Sequence, residues 1–169
     1  MPAAPVHRYA LGLGSNRPVR GGESPEALVK RICGLLDERP FRLVACSPII
    51  RTAPVGPSLR RYANAAAIVE TPLPPPEMLR RLKQIERAYG RRRGQRWGAR
   101  PIDLDILLWD GGPWADGALV VPHRLLRERD FVLRPLARVA PGWRDPMSGF
   151  TIRHLLARLQ KPCTKAKAS

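Results

Sequence analysis

The run Ile102-Asp103-Leu104-Asp105-Ile106-Leu107-Leu108 sets two carboxylates one residue apart inside an apolar stretch that reads as a strand. Side chains alternate along a strand, so Asp103 and Asp105 project from one face about 7 Å apart while Leu104 and Ile106 enter the other. Aspartate is depleted in strands and neighbouring like charges repel, so the pair asks for a cation; a solvated sheet face is the plainer alternative. Oxygen donors select a hard ion. Magnesium takes one or two carboxylates and keeps positions open for water and phosphate. Directly upstream lies Arg91-Arg92-Arg93-Gly94-Gln95-Arg96-Trp97-Gly98-Ala99-Arg100, a basic segment without apolar period whose guanidinium forks suit phosphate oxygens. Metal, arginines and a surface loop together suggest phosphoryl or pyrophosphoryl transfer beneath a lid that closes over a nucleotide.

The elements that must hold these groups can be read from the pattern around them. Arg8 to Leu13 reads as a strand that ends in the turn residues Gly14, Ser15 and Asn16, and Pro25 opens a helix through Leu28, Ile32, Leu35 and Leu36. Phe41 to Ser47 is a second strand. Pro48 to Arg61, with Pro54, Gly56 and Pro57, reads as a loop, and Tyr62 to Thr71 as a third strand of small residues. A proline cluster at 72–76 then starts a second helix, with Met78, Leu79, Leu82 and Ile85 at helical spacing up to Gly90. Ile102 to Trp109 is the fourth strand. Gly111 to Gly117 reads as a turn-rich excursion, Leu125 to Leu136 as a short helix ending near Pro141, and Ile152 to Leu159 as a last amphipathic helix. Strand, helix, strand, strand, helix, strand is the order of an α+β, ferredoxin-like fold: an antiparallel sheet with helices packed on one face.

Length and composition place these elements in one domain over residues 1–169, with 161–169 as a disordered basic tail. The net charge of +16 comes mostly from arginine and attracts polyanions, without distinguishing nucleic acid, acidic membrane surface and nucleoside triphosphate. Cys33, Cys46 and Cys163 are too few and scattered for a disulfide scaffold, and none forms a C-x-x-C pair, which points to a reducing compartment. No stretch approaches the ~20 apolar residues of a membrane span, and the first nine residues carry no apolar signal core. A cytoplasmic protein is the expectation.

Several blocks of the chain resemble, in order, the 6-hydroxymethyl-7,8-dihydropterin pyrophosphokinase family. Arg96-Trp97-Gly98-Ala99-Arg100-Pro101-Ile102-Asp103-Leu104-Asp105-Ile106-Leu107 is similar to the family signature. Around it stand Leu13-Gly14-Ser15-Asn16, Arg51 to Pro57, Tyr62-Ala63-Asn64-Ala65-Ala66, Gln84-Ile85-Glu86, and Val121-Pro122-His123 followed by Arg129 and Phe131. The resemblance implies that the pterin hydroxymethyl oxygen attacks the β-phosphorus of ATP and that AMP leaves. It implies two magnesium ions bridged by Asp103 and Asp105, with Arg91 and Arg100 as loop arginines that assist transfer. Lys83, Glu86, Ile106, His123, Arg124 and Arg129 fall on the ATP side. Tyr62 and Phe131 become a stacking pair for the pterin, Asn64 and Thr52 its hydrogen-bonding partners, the backbone at Ala53 and Val55 a further edge, and Trp97 a cover from the loop. Asp103 also touches the pterin side. A monomer is implied as well. Ala99 and Arg124 depart from the residues common at those places, proline and an aromatic ring or histidine.

A second class, a basic RNA-binding module on a ferredoxin-like scaffold, is compatible with topology and charge. It requires stacking aromatics on the central strands, whereas the strands here carry Ala, Val, Leu and Ile, with Tyr62 only at a strand entrance.

Overall fold

The computed structural model describes residues 5–16, 22–53, 61–89 and 101–161. Strand β1 (His7–Ser15) lies at the centre of an antiparallel sheet, between β4 (Tyr62–Thr71) and β5 (Asp103–Trp109). The path runs β2-β4-β1-β5, with β2 (Arg42–Cys46) at one edge and β5 at the other, and β3 (Ile50–Thr52) pairs with the entrance of β4. The carboxylate pair therefore sits on an edge strand.

Alternation along β1 divides the interior in two. Tyr9, Leu11 and Leu13 enter a core with Leu28, Val29 and Ile32 of helix α1 (Pro25–Leu35) and Met78 and Leu82 of helix α2 (Pro75–Ala88). Ala10, with Ala66, Ile68 and Leu108, enters a second core with Leu133 and Leu136 of helix α3 (Asp130–Val139) and Ile152 and Leu155 of helix α4 (Ile152–Gln160). The expected helical layer on one face is thus α1 and α2. The C-terminal helices add a layer on the other, because β1 and β4 are apolar on both sides for part of their length.

Local chemistry starts the helices where it should. The Ser24 side chain accepts the Ala27 N–H at 3.2 Å and Pro25 occupies the first turn of α1, while α2 also carries proline there. Three sequence expectations need correction. The segment read as a loop from Pro48 contains β3, because Ile50, Arg51 and Thr52 pair with Asn64, Ala63 and Tyr62. The excursion after Trp109 contains β6 (Trp114–Ala115), which forms a two-stranded ribbon with β7 (Val120–Val121). The helix expected from Leu125 begins five residues later: 124–128 form turns, and the helical ladder opens where Leu133 N–H donates to the Arg129 carbonyl at 3.0 Å.

Candidate active site

The face opposite α1 and α2 carries a polar row at the end of the sheet where the α3–α4 core stops. Gly14 pairs with Asn64 on one side and Asp103 on the other, and one step further Gly12 pairs with Ala66 and Asp105. Asn64, Asp103 and Asp105 all stand on this face, since the intervening Ala65 and Leu104 belong to the α1–α2 core. Between the amide and the carboxylates the central strand contributes only glycine. A Cβ on Gly14 would meet Asn64 Oδ1 at 3.3 Å, and one on Gly12 would meet the Leu107 side chain at 3.3 Å. Gly14, expected in a turn, is instead strand, and glycine there keeps the floor between the two polar sides low.

On the β4 side Asn64 is buried, and its Nδ2 donates to Thr52 Oγ1 at 2.8 Å. Tyr62, two residues before Asn64, shares its face and lies opposite Thr52. Ala53 follows directly, exposed. The Thr52, Tyr62 and Asn64 expected around one ligand are therefore neighbours. Phe131, in the first turn of α3, is half-buried with the Arg129 guanidinium 5.6 Å from its ring centroid.

On the β5 side His123 approaches Asp105, with Nε2 3.9 Å from Oδ2. Its loop is tied to the strand by His123 N–H donating to the Leu107 carbonyl at 3.0 Å, and its ring Nδ1 accepts the Leu125 N–H at 3.1 Å. With Nδ1 an acceptor, the neutral ring carries its proton on Nε2, toward the carboxylate. Burial first, then the Asp103 charge, pushes the Asp105 carboxyl above its ordinary range, and His123 and Lys83 pull against that shift.

Glu86 is the residue whose surroundings the sequence conceals. Met78, Leu82 and Glu86 form one buried stripe on α2, so a carboxylate takes a core position and is fully inaccessible. Its Oε1 accepts the Leu104 N–H at 2.9 Å and the Lys83 ammonium at 2.7 Å. Leu104 lies between the two aspartates on an edge strand, and Glu86 binds the amide that strand turns outward. The spacing 78, 82, 86 was the available signal for this role. Ile106 sends its side chain into the α1–α2 core and is 3% exposed, so only its main chain, on the same outer edge as that of Leu104, is open to a ligand. Arg124 is exposed on the turn after His123. Val55, Arg91, Trp97 and Arg100 lie outside the described residues, as do residues 162–169 of the expected tail.

Residues 10–141 match the family model for 7,8-dihydro-6-hydroxymethylpterin-pyrophosphokinase. The chain belongs to this family. A 2-amino-4-hydroxy-6-hydroxymethyldihydropteridine pyrophosphokinase from Methylorubrum extorquens is 41% identical over 153 residues, covering 90% of this chain and 93% of that protein. One from Pseudomonas aeruginosa is 38% identical over 154 residues, covering 90% and 91%. Among solved structures, a Plasmodium falciparum HPPK-DHPS crystal structure superposes with a TM-score of 0.74 at 15% identity, which supports the fold. This pyrophosphokinase-family chain spans 44% of that longer protein and covers 92% of its own length in the match.

The pair Asp103 and Asp105 fits a magnesium ion by its donor chemistry. Both ligands are hard carboxylates, and the Asp105 carboxyl is raised in a way a cation would relieve. Among the described residues no group of three or more His, Cys, Asp or Glu side chains is arranged to enclose a metal.

Proposed function

We propose that the polar row across β4, β1 and β5 is where the chain brings ATP and 6-hydroxymethyl-7,8-dihydropterin together for pyrophosphoryl transfer in folate biosynthesis. The single observation that carries this reading is the glycine-floored row itself, with an amide on one strand and a carboxylate pair two strands away. A flat, hydrogen-bonding ring suits the Thr52–Asn64–Tyr62 side, with Phe131 as the opposing aromatic. A triphosphate suits the β5 side.

Asp103 and Asp105 would hold magnesium, which when bound neutralises phosphate charge and orients the triphosphate. The chain's own groups do the rest. Asn64 and Thr52 fix the pterin in its plane so that the hydroxymethyl oxygen faces the β-phosphorus. That oxygen gives up its hydroxyl proton to solvent and forms the new bond as the bond from the β-phosphorus to the α-phosphate oxygen breaks, and AMP departs. His123 offers its Nε2–H to the phosphate side, Arg129 adds charge from the start of α3, and Lys83 does so from α2. Glu86 sets the pitch of the strand that presents both aspartates, and Arg91, Arg100 and Trp97 complete the site from the basic segment. Positioning and electrostatics suffice for such a transfer, because the charge is spread over phosphoryl oxygens. The reading includes action as a monomeric single domain in the cytoplasm. Among the described residues, no helix is long and apolar enough to cross a membrane.

An assay of AMP release tests the whole reading. We expect release to depend jointly on magnesium and on the pterin, and Asp105→Ala to abolish it while the circular dichroism spectrum stays native. Near-normal turnover in that variant would remove Asp105 from the metal site, and AMP release without pterin would reassign the acceptor.

A further inference from the structure

Cysteines 33 and 46, thirteen positions apart in sequence, meet in the fold with their Sγ atoms 2.6 Å apart. Cys33 is on the inner face of α1, buried with the core residues Val29 and Ile32, whereas Cys46 ends β2 and is exposed. One thiol can be reached from solvent and the other waits directly behind it. We propose that Cys33 and Cys46 form an oxidation site that reacts with peroxide and closes into an intramolecular disulfide, stapling α1 to the edge strand.

The asymmetry of the pair assigns the roles. The contact between the two thiols and burial push Cys33 up, and the same contact lowers Cys46. Because Cys46 is exposed and Cys33 lies buried behind it, a peroxide meets Cys46 first, and the lowered pKa of Cys46 agrees with that order. Its attack on a hydroperoxide breaks the O–O bond, giving the Cys46 sulfenic acid and an alkoxide or hydroxide that takes up a proton. The Cys33 thiol then attacks the Cys46 sulfur, the S–S bond forms, and water leaves with the thiol proton. Two thiols are oxidised and one peroxide is reduced to water or alcohol. Thiol reductants reverse the step.

The location says what the bridge does. Strand β2 and the carboxylate-bearing β5 are opposite edges of the sheet, with β4 and β1 between them. The bridge closes the segment between α1 and β2 without touching the polar row, so it should stabilise the protein and leave turnover nearly unchanged. This inference does not depend on the reaction the chain catalyses.

The test uses the full chain with Cys163→Ser, which removes the third thiol. After brief hydrogen peroxide treatment, intact mass should show the loss of two hydrogens, and trypsin should release Ile32–Arg42 linked to Leu43–Arg51. Tm should rise by roughly 6–12 °C, the scale for closing a loop of this length in a chain of this size, and fall back with dithiothreitol. AMP release should change less than twofold. Cys33→Ala should stop at a sulfenic acid on Cys46 that dimedone captures, and Cys46→Ser, at an exposed position, should neither cross-link nor gain stability. Addition of oxygen atoms without a cross-link, a disulfide between two chains, or a bridge that lowers Tm would overturn the proposal.

Discussion

Burial and the Asp103 charge hold the Asp105 carboxyl above its ordinary range, and this sets stability against chemistry at one side chain. A carboxyl with a raised folded-state pKa contributes stability that is fully present below its unfolded value and is lost as pH rises through the folded one. At neutral pH the ionised Asp105 therefore costs the metal-free protein stability, and the same ionised form is the one that binds a cation. Asp105→Asn keeps the shape and removes the charge. We expect its Tm, measured by scanning fluorimetry at pH 7 with a chelator, to exceed that of the wild type by about 1–3 °C, while AMP release is lost. Near pH 3, where the wild-type carboxyl is protonated, the difference should vanish. A lower Tm at pH 7 would mean that other protein groups already satisfy the carboxylate.

At the scale of elements, the loop carrying His123 and Arg129 depends on a buried ion pair further along the chain. Asp145 is inaccessible and binds Arg127 through both oxygens, at 2.7 and 2.8 Å, while accepting the Met147 N–H at 3.1 Å and the Ser148 hydroxyl at 2.5 Å. Burial alone would raise the Asp145 pKa, but the hydrogen bonds from Arg127, Ser148 and the Met147 N–H hold it below the usual carboxylate range. A depressed value contributes stability present above the unfolded pKa and lost as pH falls through the folded one, so this anchor should weaken only in acid. Asp145→Ala leaves Arg127 half-buried without its partner. We expect a loss of about 3 kcal/mol in urea unfolding at pH 7 and a higher KM for ATP, since the turn between His123 and Arg129 loses its tie. An unchanged KM with lowered stability would confine Asp145 to the scaffold. None of this was legible from the sequence, where Arg127 and Asp145 are two charges among many. What could be read was local: alternation at 103–108 gave the carboxylate face, the stripe on α2 gave its core side, and the proline cluster gave the start of α2. What escaped reading depends on partners distant in sequence. Ile50–Thr52 is strand because Tyr62–Asn64 lies beside it, Gly14 is a floor because Asn64 and Asp103 flank it, and the two cysteines meet because α1 folds back over β2.

For the whole molecule, the two cores share their strands, so the polar row is held by a sheet packed on both faces at its apolar end and left to polar groups at the other. Around that sheet the net charge is +16, and many arginines are committed locally: Arg8 and Arg42 to Glu70, Arg31 to Glu23, Arg51 to Glu26 and Arg134 to Asp130. The remaining positive field acts on a triphosphate before contact and is screened over roughly 8 Å at physiological salt, shrinking to about 3 Å at 1 M. If that field serves nucleotide capture, raising potassium chloride from about 0.05 to 0.5 M should increase KM for ATP several-fold, with magnesium held saturating. The KM for the uncharged pterin should move less than twofold, because stacking and hydrogen bonding are weakly screened. Steady-state kinetics with each substrate varied in turn distinguish the two. Equal rises in both constants would indicate a salt effect on the fold, and flat values for ATP would make the arginine excess a property of the surface alone.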